Sequence, residues 1–563
     1  MRRTNAFPLM PTSRRQFLTR SSLALAGVTL GLGRVAEAAP IMVPLGLKRP
    51  VSSLLPSVVD PDTLRSLALA GIDAAKSAGA AYADIRVSDS HRWRMDWSMP
   101  ELQPLPYSDL YVEYGFGIRV RVGGAWGFAY GVEPTTDAIA RAANAAVATA
   151  RGIAKFTPDA EPFAPASAVQ GDWASSFEID PFSVSPDAHC KMLGAFIDAA
   201  QRVRDGSVYS MQFLWQKETR VFASSEGSLI TQQTMRSAPK IEVRAKHRLR
   251  NAGVHLPVPG IAPASVGYES VLGTALQERI KTTTEEAASL ISLPEADADV
   301  GRYEMVIDGS ITGGMFASTL LQALDLGRAL GQDADGAGTS FLAPVDDILG
   351  QQLFSPHLSA TADRSAPHYG AVKWDDEGVP AESFPVIDKG RVVDYFGTRA
   401  TVPALSAWYA KRGQSVRSRG SAVSWATTTS PIGAGSQITV TPGTPGTTLE
   451  SMTKQLGKGL LGRGISEWSV SSDQQLSGGS FGPHMLFEVR NGQITRRLLG
   501  GMVQFRSRAF WKDLTMMGDA STVQSRMHTD YRGETYAKAV QPVLAPAARL
   551  ASADIIQVGR VFL

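Results

Sequence analysis

Apolar residues recur at helical spacing in the first clearly periodic stretch of the chain. Leu64, Leu67, Ala68, Ile72 and Ala75 share one face between Pro61 and Ala78, and Gly79 ends the run. The period then drops to two. Tyr82 to Val87 alternates as a strand. Gly117-Ile118-Arg119-Val120-Arg121-Val122 sets Ile118, Val120 and Val122 on one face and Arg119 and Arg121 on the other. Gly123-Gly124 leads into Ala125–Tyr130, which predicts a hairpin. Ala138 to Arg151 reads as an Ala-rich helix. Val221 to Gln233 and Lys240 to His247 read as strands about Glu226-Gly227, and Tyr268 to Ile291 as one or two helices. The polar stretch Leu293–Asp299 interrupts the pattern and places an expected domain boundary near residue 300. The second half is richer in strands. Hairpins are expected at Val386–Val393 and at Phe487–Thr495, the latter turning on Asn491-Gly492. Helices are expected at Phe316–Leu330 and Leu449–Leu456.

The N-terminus follows different rules. Ser13-Arg14-Arg15-Gln16-Phe17-Leu18 precedes a mildly apolar run from Leu23 to Leu32, and Ala36-Glu37-Ala38 supplies small residues at −3 and −1 of a cleavage site. Residues 1–38 therefore read as a twin-arginine (Tat) signal peptide with a mature N-terminus at Ala39. The apolar run is shorter than the roughly 20 residues a membrane span needs, and no later stretch reaches that length. The expected location is periplasmic or secreted.

Removing that segment changes the charge argument. The 563-residue chain has a formal charge of +3, but residues 1–38 hold six Arg and one Glu. The remainder carries 50 basic and 52 acidic residues, so a nucleic-acid partner loses its electrostatic support. Cys190 is the single cysteine, which excludes an intrachain disulfide. Its neighbour His189 does not make it a nucleophile, because adjacent residues rarely face one another.

Several short motifs fail on context. Gly478-Gly479-Ser480-Phe481-Gly482 fits a nucleophile elbow, yet Pro483 and a hairpin follow where a helix is required. Gly457–Gly462 fits G-x-G-x-x-G but follows a helical pattern rather than a strand. Ser451–Lys454 lacks the partner motifs of an S-x-x-K enzyme, and Asp333-Ala334-Asp335-Gly336 lacks the closing Glu of a calcium loop. His357 and His368, with Asp375, Asp376 and Glu377, form the densest group of potential ligands in the second half.

The most specific signal is an ordered set of segments. It comprises Gly79–Val87, Gly115–Val120, Gly124–Ala129, Ser225-Glu226-Gly227, Gly267-Tyr268-Glu269, Asp375–Pro380, Lys389-Gly390, Ser477–Gly482 and Asn491–Ile494. This set resembles the TldD/PmbA family, often labelled modulators of DNA gyrase, over roughly residues 60–520. The resemblance implies an α+β fold. A mixed α/β N-terminal domain over 39–300 would precede a β-rich C-terminal domain with a few helices over 301–563. It also implies dimers and, in the catalytic branch, a zinc metallopeptidase acting on unfolded peptides. That branch carries H-E-x-x-x-H on a helix, with a distant Cys as third ligand. Histidines five residues apart lie about 140° apart on a regular helix, so a local distortion has to bring them together.

The corresponding helix here puts Ala323 and Arg328 at the histidine positions and Leu324 at that of the Glu. Shifting the alignment by one residue restores nothing, since residues 320–350 contain no His, Cys or Glu. The resemblance thus leads to a member without the metal ligands or general base, with no zinc or other cofactor expected. It would bind an unfolded peptide or peptide precursor as a partner subunit, in a homodimer or in a heterodimer with a TldD-type paralogue. Asp325, Arg328, Asp333, His357, His368, Asp375, Asp376 and Glu377 are the candidate substrate-binding residues. The alternative is an active hydrolase using His357, His368 and the Asp375–Glu377 run.

Overall fold

The alternation at Gly117–Val122 belongs to a longer strand, Tyr107–Val122, within an eight-stranded sheet. The computed structural model describes residues 41–42, 59–98, 107–156, 162–246, 253–334, 338–364, 368–435, 437–470, 475–532 and 537–557. The signal-peptide reading of residues 1–38 lies outside them. In the first sheet Tyr107–Val122 pairs with Tyr82–Ser98, which pairs with Gly206–Ser224, and that strand with Leu229–Lys246. Ala125–Val132 closes the expected hairpin, with Gly123 and Gly124 at positive φ.

The two faces of this sheet have different work. Ala83, Ile85, Val87, Ile118, Val120, Val221 and Ala223 pack beneath the helices Pro61–Ser77 and Thr136–Ala154. Further along the same strands Trp93, Met95, Phe213 and Trp215 pack beneath Pro186–Gln201 and Thr274–Leu290. Both clusters use odd-numbered positions of Tyr82–Ser98. The even positions Asp84, Arg86, Ser88 and Ser90 are equally buried, although polar. They face the second half of the chain.

Among the described residues that half holds two further large sheets and a two-stranded ribbon, Ala422–Val423 with Ile432–Gly433. Lys458–Val470 pairs with Gly301–Ile307 on one side and with Gly478–Arg490 on the other. Ala548–Gln557 and Gly501–Arg506 complete the circuit, so five strands close on themselves. The other large sheet runs in the order Arg391–Val392, Phe384–Asp388, Ala360–Ala362, Ile438–Val440, Ala537–Ala545, Gln524–Arg532. The expected Asn491-Gly492 turn is present, with φ of 47° and 75°.

One element departs from expectation. Instead of a single helix over Phe316–Leu330, an α-helix spans Gly309–Phe316 and ends in a π-helical turn at Ala317–Leu321. The start moves upstream because Asp308 caps it, its Oδ1 accepting from the Ile311 amide at 3.0 Å. The end comes early because the strand-like backbone of Phe396 captures the chain. Phe396 N donates to Leu324 O, and Leu326 N donates to Phe396 O, both at 2.9 Å. Asp325 then caps a separate short turn, Leu326–Ala329.

Candidate functional site

The π-helical turn sits where the sequence resemblance places the metal motif, and it supplies the kind of distortion that closely spaced helical ligands require. The side chains after it do not supply ligands. Ala323 and Leu324 are fully buried in the main core of the second half. Gln322 is the residue that faces a polar group: its Nε2 lies 2.9 Å from His528 Nε2, on the strand Gln524–Arg532. Burial, followed by the charge of Arg526, pushes His528 down to about 4. Arg328 points its Nε at Thr339 O (2.8 Å) and its Nη1 at Gln322 Oε1 (3.5 Å). Asp325 accepts from the Arg328 amide, and Asp333 is half-buried beyond the short turn. An amide, one imidazole and a guanidinium are the wrong donor set for zinc, which takes thiolate, neutral imidazole and carboxylate. Among the described residues no three His, Cys, Asp or Glu side chains gather as metal ligands.

The acidic run lies elsewhere and is already occupied. Asp376 Oδ1 meets Arg220 Nη1 at 2.6 Å, and its Oδ2 accepts from the Ser424 amide. Glu377 Oε1 meets Arg119 Nη2 at 2.8 Å, and its Oε2 accepts from the Arg399 amide. Asp375 accepts from the amides of Glu377, Val379 and Ala422. Burial and then the Glu377 carboxylate raise Asp375, whereas Arg220 and Arg86 overcome the cost of burial and hold Asp376 down. Arg119 and Arg220 come from the buried polar face of the first sheet. The run thus joins the two halves of the chain, assisted by the two-pronged Arg399–Glu226 pair at 2.7 and 2.8 Å.

His357 is exposed, with its amide on Ser355 Oγ. His368 pairs with Asp363 at 3.2 Å and with Gln437. Neither histidine bonds to Asp375, Asp376 or Glu377, so the structure does not bring that candidate group together.

A cavity of about 470 Å³ that the sequence did not reveal opens between the first sheet and the second half. Ile241, Val258 and Ile465 give it apolar walls, and Lys240, Glu242, His484 and Arg526 give it polar ones. Glu242 stays below the usual carboxylate range, because Lys240 at 2.8 Å outweighs the opposing effect of burial. Burial lowers His484. Ser310 and Gln524, at the start of the distorted helix and of the His528 strand, also line this cavity. A signal was available in hindsight: Pro257, Pro259 and Pro263 mark a rigid rim around it.

Residues 300–556 match a sequence model of the PmbA/TldA metallopeptidase C-terminal domain, and residues 83–150 match one of PmbA/TldA metallopeptidase domain 1. The chain belongs to the PmbA/TldD family. Its fold is that of solved relatives. A structure from Thermotoga maritima, described as a candidate modulator of a DNA gyrase, has a TM-score of 0.66 over 87% of this chain and 99% of that one, at 14% identity. TldE from Thermococcus kodakarensis gives 0.64 over 86% and 98%, also at 14% identity. A metalloprotease from Methanothermobacter thermautotrophicus is 25% identical over 321 residues, which span 57% of this chain and 65% of that relative. Within this PmbA/TldD chain no helix among the described residues is long and apolar enough to cross a membrane.

Proposed function

We propose that this chain is a non-catalytic, peptide-binding member of the PmbA/TldD metallopeptidase family, exported by the Tat route. It acts as a partner subunit in peptide maturation or proteolysis, either as a homodimer or beside a TldD-type paralogue. The observation that carries this reading is the side-chain set after the π-helical turn. Ala323 and Leu324 are committed to the core, and Gln322 and Arg328 occupy the polar side. None of these four side chains can bind zinc or take a proton from water at neutral pH. The neighbouring 470 Å³ cavity, with apolar walls and a few polar groups, has the size and composition of a ligand site.

The test is direct. Mature protein beginning at Ala39 is incubated with labelled unfolded peptides, and binding is read by anisotropy, peptide integrity by mass spectrometry and zinc by elemental analysis. Binding without cleavage, and far less than one zinc per chain, is expected. Cleavage products that vanish with a chelator, or in His357→Ala or His368→Ala, would replace this reading with an active hydrolase.

A further inference from the structure

A second, smaller cavity of about 60 Å³ lies beside the large one, and Trp425 and Val540 form walls of both. Its lining is unusually charged for its size. Arg220, Arg236 and Arg364 meet only two carboxylates there, Glu218 and Asp376. Those carboxylates are already engaged: Glu218 by Arg220 at 2.7 Å and Arg236 at 3.3 Å, Asp376 by Arg220 at 2.6 Å. Arg364 makes no ion pair with a described residue, although the buried carboxylates of Asp375 and Asp376 act on it. It is 7% exposed, its Nη1 is held by Gly420 O, and its Nε has no hydrogen-bond partner. Burial lowers its pKa. Two more residues lining the cavity, Tyr369 and Thr234, are 2% and 5% exposed and carry hydroxyl oxygens without a partner among the described residues. Buried donors of this kind are costly unless something accepts from them.

Three donors without acceptors and an excess of guanidinium call for an anion with several lone pairs. At roughly 10–15 Å³ for a water-sized group, the space takes a carboxylate and its adjoining carbon. It is too small for a chain to pass through, so the carboxylate must end the chain or a side chain.

We infer that this cavity binds the C-terminal carboxylate of a peptide whose preceding residues lie in the larger cavity. The inference rests on the peptide-binding reading above and adds polarity to it: the peptide enters end first, and its last residue is recognised by Arg364, Tyr369 and Thr234.

The test uses the full mature chain and a short labelled peptide of Ala, Ser and Val in three forms: free acid, C-terminal amide, and amide with one internal Glu. Acetate serves as the free anion. The free acid should bind about tenfold or more tighter than the amide, as a charge-assisted hydrogen-bond set would give. Tyr369→Phe should cut that preference by about threefold without lowering Tm, because it deletes an atom that has no partner within the protein. Arg364→Gln should abolish the preference and leave amide affinity unchanged. If that variant fails to fold, Tyr369→Phe and Thr234→Val decide.

Equal binding of acid and amide would overturn this inference and leave the peptide-binding reading standing. Failure of every peptide to bind would overturn both. The internal-Glu amide matching the free acid would show a side-chain carboxylate as the occupant. Acetate binding that depends on Arg364 but does not compete with the peptide would show a free-anion site. Either result overturns the assignment to a peptide terminus.

Discussion

The amide nitrogen of Gln322 donates to His528 Nε2 across 2.9 Å, which makes that ring nitrogen an acceptor and the imidazole neutral. The other end of the amide accepts from Arg328, so the orientation of Gln322 is fixed from both sides. A metal motif cannot be rebuilt here by restoring residue types at the aligned positions, because those positions face inward. Ala323→His with Leu324→Glu would bury an imidazole and a carboxyl in the main core. We expect a loss of about 4 kcal/mol or more, read as collapse of the cooperative melt. A well-folded variant would mean that the turn can rotate those side chains out.

The buried histidines predict acid sensitivity. Burial lowers His189 to about 4, and burial with Arg526 does the same to His528. In an unfolded chain each titrates near 6.5. Between those values the unfolded chain holds the extra proton. Stability is therefore full above about pH 6.5 and falls by about 1.4 kcal/mol per pH unit per group on acidification. His189→Phe keeps an aromatic ring among Trp93, Trp215 and Tyr268 and removes one such group. Its Tm should drop less than that of the parent between pH 7 and pH 5; an equal drop would show that His189 is not neutral in the fold.

Arg119 holds two buried carboxylates at once, Asp84 at 2.7 Å and Glu377 at 2.8 Å. Arg119→Met strands both and should cost about 3–5 kcal/mol by chemical denaturation. Glu377→Gln should cost less, because Arg119 keeps Asp84. The reverse order would show that the join between the halves does not run through this arginine.

Gly117 lies on the polar face of the first sheet, where a Cβ would sit 1.9 Å from Thr427 O. Gly117→Ala should therefore push the segment around Thr427 off the sheet and lower stability by about 1–3 kcal/mol. Unchanged hydrogen exchange of residues 421–429 would count against that contact.

Export offers a test away from the fold. Replacing Arg14 and Arg15 together by Lys keeps the charge and removes the guanidinium pair. The uncleaved precursor should accumulate in the cytoplasm, and normal export would remove the Tat assignment. Edman sequencing of the exported parent should begin at Ala39.

Apolar periodicity made much of the first half legible. The helix Pro61–Ser77 and the hairpin at Gly123-Gly124 sit where the spacing of Leu64, Leu67, Ile118 and Val120 puts them. What the pattern concealed is why Tyr82–Ser98 is so long. Asp84, Arg86, Ser88 and Ser90 look like a solvent face, and nothing in the alternation shows that they are buried, Asp84 bonding to Arg119 and Ser90 to Gln216 within the sheet. For the same reason Asp375–Glu377 resembled a reactive cluster. An isolated acidic triplet carries no mark of Arg119 and Arg220, whose positions are set by tertiary pairing. The break in the Phe316–Leu330 helix was invisible too, because Phe396, which causes it, lies on a distant segment.

The seam between the halves also bears on when folding can finish. Arg220 waits 156 residues for Asp376, and Arg399 reaches back 173 residues to Glu226. On the ribosome, the first sheet therefore emerges with a strip of charge that is only half paired: Asp84 and Glu218 can meet Arg119, Arg220 and Arg236 at once, but Glu226 and the second contacts of Arg119 and Arg220 wait until residue 399 has been made. A truncated product would keep that strip open to water and to chaperones. If the proposed Tat route carries this chain folded, that route would be inspecting the second half of the chain through the closure of the first, and a frameshift or stop anywhere before that point would be expected to hold the product in the cytoplasm.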